Sequence, residues 1–147
     1  MKLNWTFVTR NILFLSLISF FTDVASELLY PVIPLYLSSI GISVSGIGII
    51  EGMAETIAAI SKTYFGIWSD RIQKRKLFII VGYGLSALSK PLMVLVQNYF
   101  WVLLMRVSDR LGKGIRTAPR DALLSDESLS KDKGKVFGFH RSMDTLG

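Results

Sequence analysis

The stretch Phe100-Trp-Val-Leu-Leu-Met-Arg106-Val-Ser-Asp109-Arg110-Leu-Gly-Lys113-Gly-Ile-Arg116-Thr-Ala-Pro-Arg120-Asp-Ala-Leu-Leu124 decides the fold. It opens with six apolar residues and then carries a charge at nearly every turn. On a helix, at about 100° per residue, Arg106, Asp109, Arg110, Lys113, Arg116 and Arg120 share one stripe about 120° wide. Leu104, Val107, Leu111, Ile115, Ala118 and Ala122 lie opposite. The pattern predicts one amphipathic helix from Phe100 to about Leu124, long enough to cross a bilayer. The alternative ends the crossing near Met105 and lays the rest on the membrane surface as a basic amphipathic helix. Six apolar residues are too few to cross, however. The charged stripe of a spanning helix has no place in lipid, so it needs a cavity or charged partners on neighbouring helices.

Working outward, three more apolar stretches precede this one. The first runs from Asn11 to Leu37, broken by Asp23 and Glu27; the second from about Ile47 to Ser69; the third from Leu77 to Val96, interrupted at Lys90-Pro91. A signal peptide is the rival reading of the first, but no A-x-A site follows and the hydrophobicity resumes at Leu28. Ser38 to Gly48 and Gln97-Asn98-Tyr99 read as uncharged turns. Val136 onwards reads as the start of a fifth helix. The expected fold is an all-α membrane protein with four transmembrane helices (about 11–37, 47–69, 77–96 and 100–124) and the start of a fifth at about 136.

Composition agrees. The 147 residues are 50% hydrophobic, yet 17 Lys and Arg face 11 Asp and Glu, and the mean hydropathy is +0.44. A soluble nucleic-acid binder is rarely so apolar, and a disordered tail lacks such apolar runs. The absence of Cys excludes disulfides and thiolate metal sites. The loops alternate in charge: Lys2 and Arg10, then none; Arg71, Lys74, Arg75 and Lys76, then none; then Lys131, Lys133 and Lys135. By the positive-inside rule the N-terminus and the Ser125–Lys135 loop are cytoplasmic, with an even number of spans between them. The expected location is the cytoplasmic membrane. The length suits part of a larger bundle, and the cut inside the fifth helix makes activity of this chain alone unexpected.

Charges inside spans are costly and mark functional paths. Ser16, Ser19, Asp23, Glu27, Tyr30 and Pro34 share one face of the first span; Glu51, Glu55, Ala58 and Lys62 share one of the second. Glu51 and Glu55 are one turn apart, as are Asp23 and Glu27. Like charges in a low dielectric disfavour double ionisation, so a retained proton and separate pairing with nearby bases are the two alternatives. Gly48-x-x-x-Gly52 permits a close helix approach. Pro31, Pro34 and Pro91 mark either kinks or helix ends. GKGIR lacks the spacing of a phosphate-binding loop. His140 and Asp144 are one turn apart, but a lone His makes no metal site.

The loop Gly66-Ile-Trp-Ser-Asp70-Arg71-Ile-Gln-Lys74-Arg75-Lys76 resembles the G-x-x-x-D-R-x-G-x-R-R signature of the major facilitator superfamily, with Gln73 where that family usually has Gly. Arg110-x-x-Lys113-Gly114 is similar to its R-x-x-Q-G motif, with Lys for Gln; a second register starts at Arg106. The flanking runs resemble a branch of uncharacterised prokaryotic permeases of that family. The resemblance implies the N-terminal six-helix bundle of a secondary transporter, binding a small solute near the midplane and alternating access by rocking. It makes Asp23, Glu27, Glu51, Glu55, Arg106, Arg110, Lys113 and Arg116 the candidate substrate or proton path. Gly66, Asp70, Arg71, Lys74 and Arg75 become the cytoplasmic gating motif. The positive surplus of the fourth span points to an anionic or zwitterionic substrate. The expected partners are the small-molecule substrate, the lipid bilayer and the remaining transporter helices, with no nucleic acid, cofactor or metal. A membrane enzyme that clamps lipid phosphate between Arg106 and Arg120 is the alternative of another class; it lacks a metal-binding carboxylate cluster.

Overall fold

The computed structural model describes residues 8–95 and 98–146, and every regular element among them is an α-helix. The elements are α1 (Arg10–Leu29), α2 (Val32–Ser39), α3 (Val44–Ile72), α4 (Arg75–Leu92), α5 (Tyr99–Asp126) and α6 (Lys133–Leu146). Lys2, Val96, Gln97 and Gly147 lie outside the described residues.

Local chemistry sets the ends. Thr9 caps α1 by accepting from the Ile12 N–H, and Ser43 caps α3 by accepting from Gly46. The Ser38–Gly48 segment is thus only partly a turn, because α3 already starts at Val44. The first apolar stretch is divided at Tyr30-Pro31. Pro31 has no N–H to offer the preceding turn, so the helical ladder lapses there although both residues keep right-handed helical dihedrals. Pro91 sits in the last turn of α4, where the Leu92 carbonyl accepts from Trp101 Nε1–H at 2.8 Å as well as from Leu95 N–H at 3.3 Å. Asn98 then starts α5: its side-chain oxygen accepts from Phe100 N–H at 2.9 Å, and its carbonyl from Val102 N–H at 3.0 Å.

The chain divides into two compact units, residues 1–30 with 121–147 and residues 31–120. In the first, α1 packs on α6. Asn11 donates to Glu127 at 2.8 Å, and the Ser16 hydroxyl lies 3.0 Å from His140 Nδ1. In the second, α5 is in contact with α3 on one side and α4 on the other. A side chain at Gly114 would meet Ser61 Cβ at 2.6 Å and the Ala58 carbonyl at 2.8 Å; one at Gly112 would meet the Gly82 carbonyl at 2.6 Å. Small residues let the helix backbones approach this closely. Gly48 and Gly52, by contrast, meet nothing within 4 Å, so the Gly-x-x-x-Gly pair makes no close approach within this unit.

The polarity is reversed relative to a water-soluble domain. Arg106, Asp109, Arg110, Arg116, Arg120 and six serines are buried, while Phe21, Leu35, Ile60, Ile80 and Leu88 are exposed, Ile80 at 70%. Among the described residues, two helices, α1 and α3, are long and apolar enough to cross a membrane.

Candidate functional site

The charges of α5 converge with those of α3 and α4 in the second unit. Arg106, 4% exposed, grips Glu51 through a two-pronged contact, Nε to Oε1 at 2.7 Å and Nη2 to Oε2 at 2.8 Å. This fork geometry is the strongest form of the Arg–carboxylate bond. Nη1 of Arg106 lies 3.6 Å from Asp109 on the next turn, and Lys90 of α4 lies 3.9 Å from the other oxygen of Asp109. Glu51, Arg106, Asp109 and Lys90 therefore form a charge-balanced chain from α3 through α5 to α4. One turn further, Arg110 Nε lies 3.1 Å from Glu55, whose side chain is 60% exposed. Each glutamate of α3 thus faces its own arginine.

Arg116 closes the α4 side. Its guanidinium stacks over the Tyr83 ring at 4.4 Å from the centroid and donates to the Ser86 hydroxyl at 3.1 Å. Ser86 donates to the Asp109 carbonyl at 3.0 Å. These contacts order α5 against α4 through a cation–π pair and a hydroxyl relay.

Lys113 stands apart. It is exposed, although it lies near the middle of the charged stripe. Arg106 and Arg120, each about 20° from it around the helix, are buried. Gly112 and Gly114 sit about 100° to either side of Lys113, and they are the points where α4 and α3 touch α5. The two neighbours cover the flanks of the stripe. Asp23 and Glu27 belong to the other unit, Asp23 half-buried and Glu27 exposed on α1. Lys90, Asp109, Tyr83 and Ser86 complete the cluster without having been among the expected site residues. The Lys90-Pro91 interruption of the third apolar stretch was the available signal for Lys90.

At the α3–α4 loop, a side chain at Gly66 would meet Ala118 Cβ at 3.0 Å, which fixes the close packing of α3 on α5. Asp70 pairs with Arg75 at 3.2 Å. Arg71 and Lys74 are exposed.

A family model described as Major Facilitator Superfamily matches residues 15–147. The chain belongs to the major facilitator superfamily. It is 39% identical over 140 residues to an uncharacterised MFS-type transporter of Methanocaldococcus jannaschii, covering 95% of this chain and 35% of that protein. It is 25% identical over 143 residues to an uncharacterised protein of Mycobacterium tuberculosis, covering 97% and 34%. It is 28% identical over 120 residues to the quinolone resistance protein NorA of Staphylococcus aureus, covering 82% and 31%. The chain spans about a third of the length of these relatives. Members of the superfamily are membrane transporters of small molecules.

Two departures from the superfamily motifs gain a physical meaning. Gln73, where the family pattern has Gly, ends α3 at φ 57°, in the left-handed region. Glycine is the residue that takes this conformation freely, and a side chain there costs about 1–2 kcal/mol. Gln73 offsets part of that cost by donating from Nε2 to the Asp70 carbonyl at 2.6 Å, a local cap that Gly could not make. Of the two registers for the second superfamily motif, the one starting at Arg110 places its glycine, Gly114, at the contact with α3. The register starting at Arg106 would put Arg110 at the glycine position.

Proposed function

We propose that this chain forms part of the N-terminal six-helix bundle of a secondary active transporter that moves a small solute by alternating access. In this reading α1, continued by α2, and α3, α4 and α5 are four crossings of the cytoplasmic membrane, α6 begins the fifth, and the N-terminus is cytoplasmic. The observation that carries it is the Glu51–Arg106–Asp109–Lys90 chain of charges, the middle two buried and the outer two half-buried, within helices whose outer residues are apolar. Ionisable groups held inside such a helix set face a path or one another. The alternation of basic and uncharged loops supports the orientation.

Within this frame the residues divide by how they are held. Arg106 and Glu51 satisfy each other, so their first role is to fix α5 against α3. Arg110 has a looser contact with a half-open glutamate, and Lys113 stands open between the two helix contacts. Lys113 presents the cationic surface that an anionic or zwitterionic solute would meet, and the buried Arg110 stands one turn before it. Asp23 and Glu27 on α1 are the candidates for proton coupling. Arg71, Lys74 and Arg75, with Gly66 and Asp70, gate the cytoplasmic side.

The test is transport by a full-length relative that carries the same arginine. Substituting the counterpart of Arg110 with Ala is expected to lower uptake or efflux at least about tenfold at equal membrane level, the loss of one charge-assisted contact of about 1.5–3 kcal/mol. Unchanged transport would remove Arg110 from the path.

A further inference from the structure

His140 is the single histidine of the chain, and it is 1% exposed on α6, against α1. Its two ring nitrogens face different groups. Nδ1 lies 3.0 Å from the hydroxyl of Ser16, itself fully buried on α1, and Nε2 lies 3.6 Å from Asp144 Oδ1 on the next turn of α6.

We propose that His140, Ser16 and Asp144 form a proton-binding site between α1 and α6. His140 is the proton carrier and Asp144 its counter-ion. A carboxylate beside Nε2 selects the neutral tautomer with its N–H on that nitrogen, which leaves Nδ1 as an acceptor for the Ser16 O–H. A proton taken from water then forms a new N–H bond at Nδ1. Ser16 turns from donor to acceptor, its own hydrogen becoming free to point to the preceding turn of α1. The site gains one positive charge, and the hydrogen bond joining the two helices reverses direction without being lost.

The surroundings favour a cation there. Among the described residues of this unit, every charged side chain that is not fully exposed is an acid: Asp23 on the Ser16 face of α1, Asp121 near the end of α5, Glu127 and Asp132 in the following loop, and Asp144. Glu127 accepts from Asn11, and Asp132 pairs with Lys135. Arg10, Glu27, Asp126, Lys131, Lys133, Lys135 and Arg141 are exposed. Protonated His140 would lie beside the Asp144 carboxylate, and opposite charges stabilise each other strongly at low dielectric. The inference does not rest on transport, since the site would bind its proton whether or not the bundle moves a solute.

Because there is one histidine, NMR of its isotope-labelled ring nitrogens reads the site alone. The intact chain is reconstituted in lipid nanodiscs and followed between pH 8 and pH 5, the range in which histidine ordinarily titrates. The expected result is an Nε2–H tautomer at the alkaline end and hydrogens on both nitrogens at the acid end. Asp144→Asn is expected to leave the ring neutral where half of the native chain is charged, with proton affinity at least about tenfold weaker, equal to one pH unit. Should that variant not fold, Ser16→Ala tests the other nitrogen: it removes the acceptor of the new Nδ1–H, a charge-assisted bond stronger than the neutral one it replaces, and proton affinity falls. An Nδ1–H tautomer at pH 8, a ring unchanged over this range, or variants that titrate like the native chain would overturn the proposal.

Discussion

Arg106→Ala is expected to destabilise the α3–α4–α5 unit by about 3 kcal/mol, the low end of the cost of breaking a buried pair, since Asp109 is buried and Glu51 half-buried. Glu51 would lose both of its short bonds to Arg106, and Asp109 would keep only Lys90, 3.9 Å away. The native pair need not add that much to stability in itself. Two desolvated charges nearly cancel their own attraction, so the large effect is the penalty of breaking the pair. The double variant Arg106→Ala with Glu51→Ala should therefore recover part of the loss. Arg106→Lys should recover less than charge alone suggests, because an ammonium cannot reproduce the fork. Thermal unfolding in detergent, arranged as a double-mutant cycle, reads these differences. Equal stability of the native chain and Arg106→Ala would mean that the contact is absent in solution.

The second large effect is steric. Gly112→Ala would place a methyl group 2.6 Å from the Gly82 carbonyl, 2.8 Å from the Ser86 hydroxyl and 3.0 Å from the Ser86 nitrogen. Gly114→Ala would place one 2.6 Å from Ser61 Cβ and 2.8 Å from the Ala58 carbonyl. Backbone atoms cannot turn aside as a long side chain can, so the helices must separate. Overpacking costs about 1–3 kcal/mol per site, and separation also pulls apart the charge contacts on either flank. Each substitution is expected to lower the midpoint of thermal unfolding, and the pair to abolish the folded unit. Gly48→Ala and Gly84→Ala are the controls. Nothing lies within 4 Å of either, and in a helix Ala is favoured over Gly by up to about 1 kcal/mol. If all four variants behave alike, the close approach of α5 to its neighbours is wrong.

The amphipathic character of α5 was legible because helical periodicity fixes angles, and the helix runs on through Arg106 to Asp126. Angles do not name partners. The stripe placed Lys113 among the arginines, and its angles do not reveal that this lysine is exposed while Arg106 and Arg120 beside it are buried. The Gly48-x-x-x-Gly52 spacing looked like a packing motif, whereas the close contacts fall at Gly66 and Gly114, which the motif spacings contain, and at Gly82 and Gly112, which no spacing singled out. Pro31 was recognised as a kink or an end, and the choice rests on a single missing N–H. The Gln73 departure was visible, but its left-handed backbone was not. His140 read as an isolated residue because Ser16, 124 positions away, has no local signature.

The central claim is that α5 crosses the membrane in spite of its charges. The chain contains no Cys, so single cysteines can report on the two ends of this helix without background. Asn98 precedes α5 and Ser130 follows it, and both are exposed. In sealed right-side-out vesicles, a membrane-impermeant maleimide should label Asn98→Cys directly and Ser130→Cys only after permeabilisation. Labelling of both from the same side would contradict the account and lay α5 along the membrane surface.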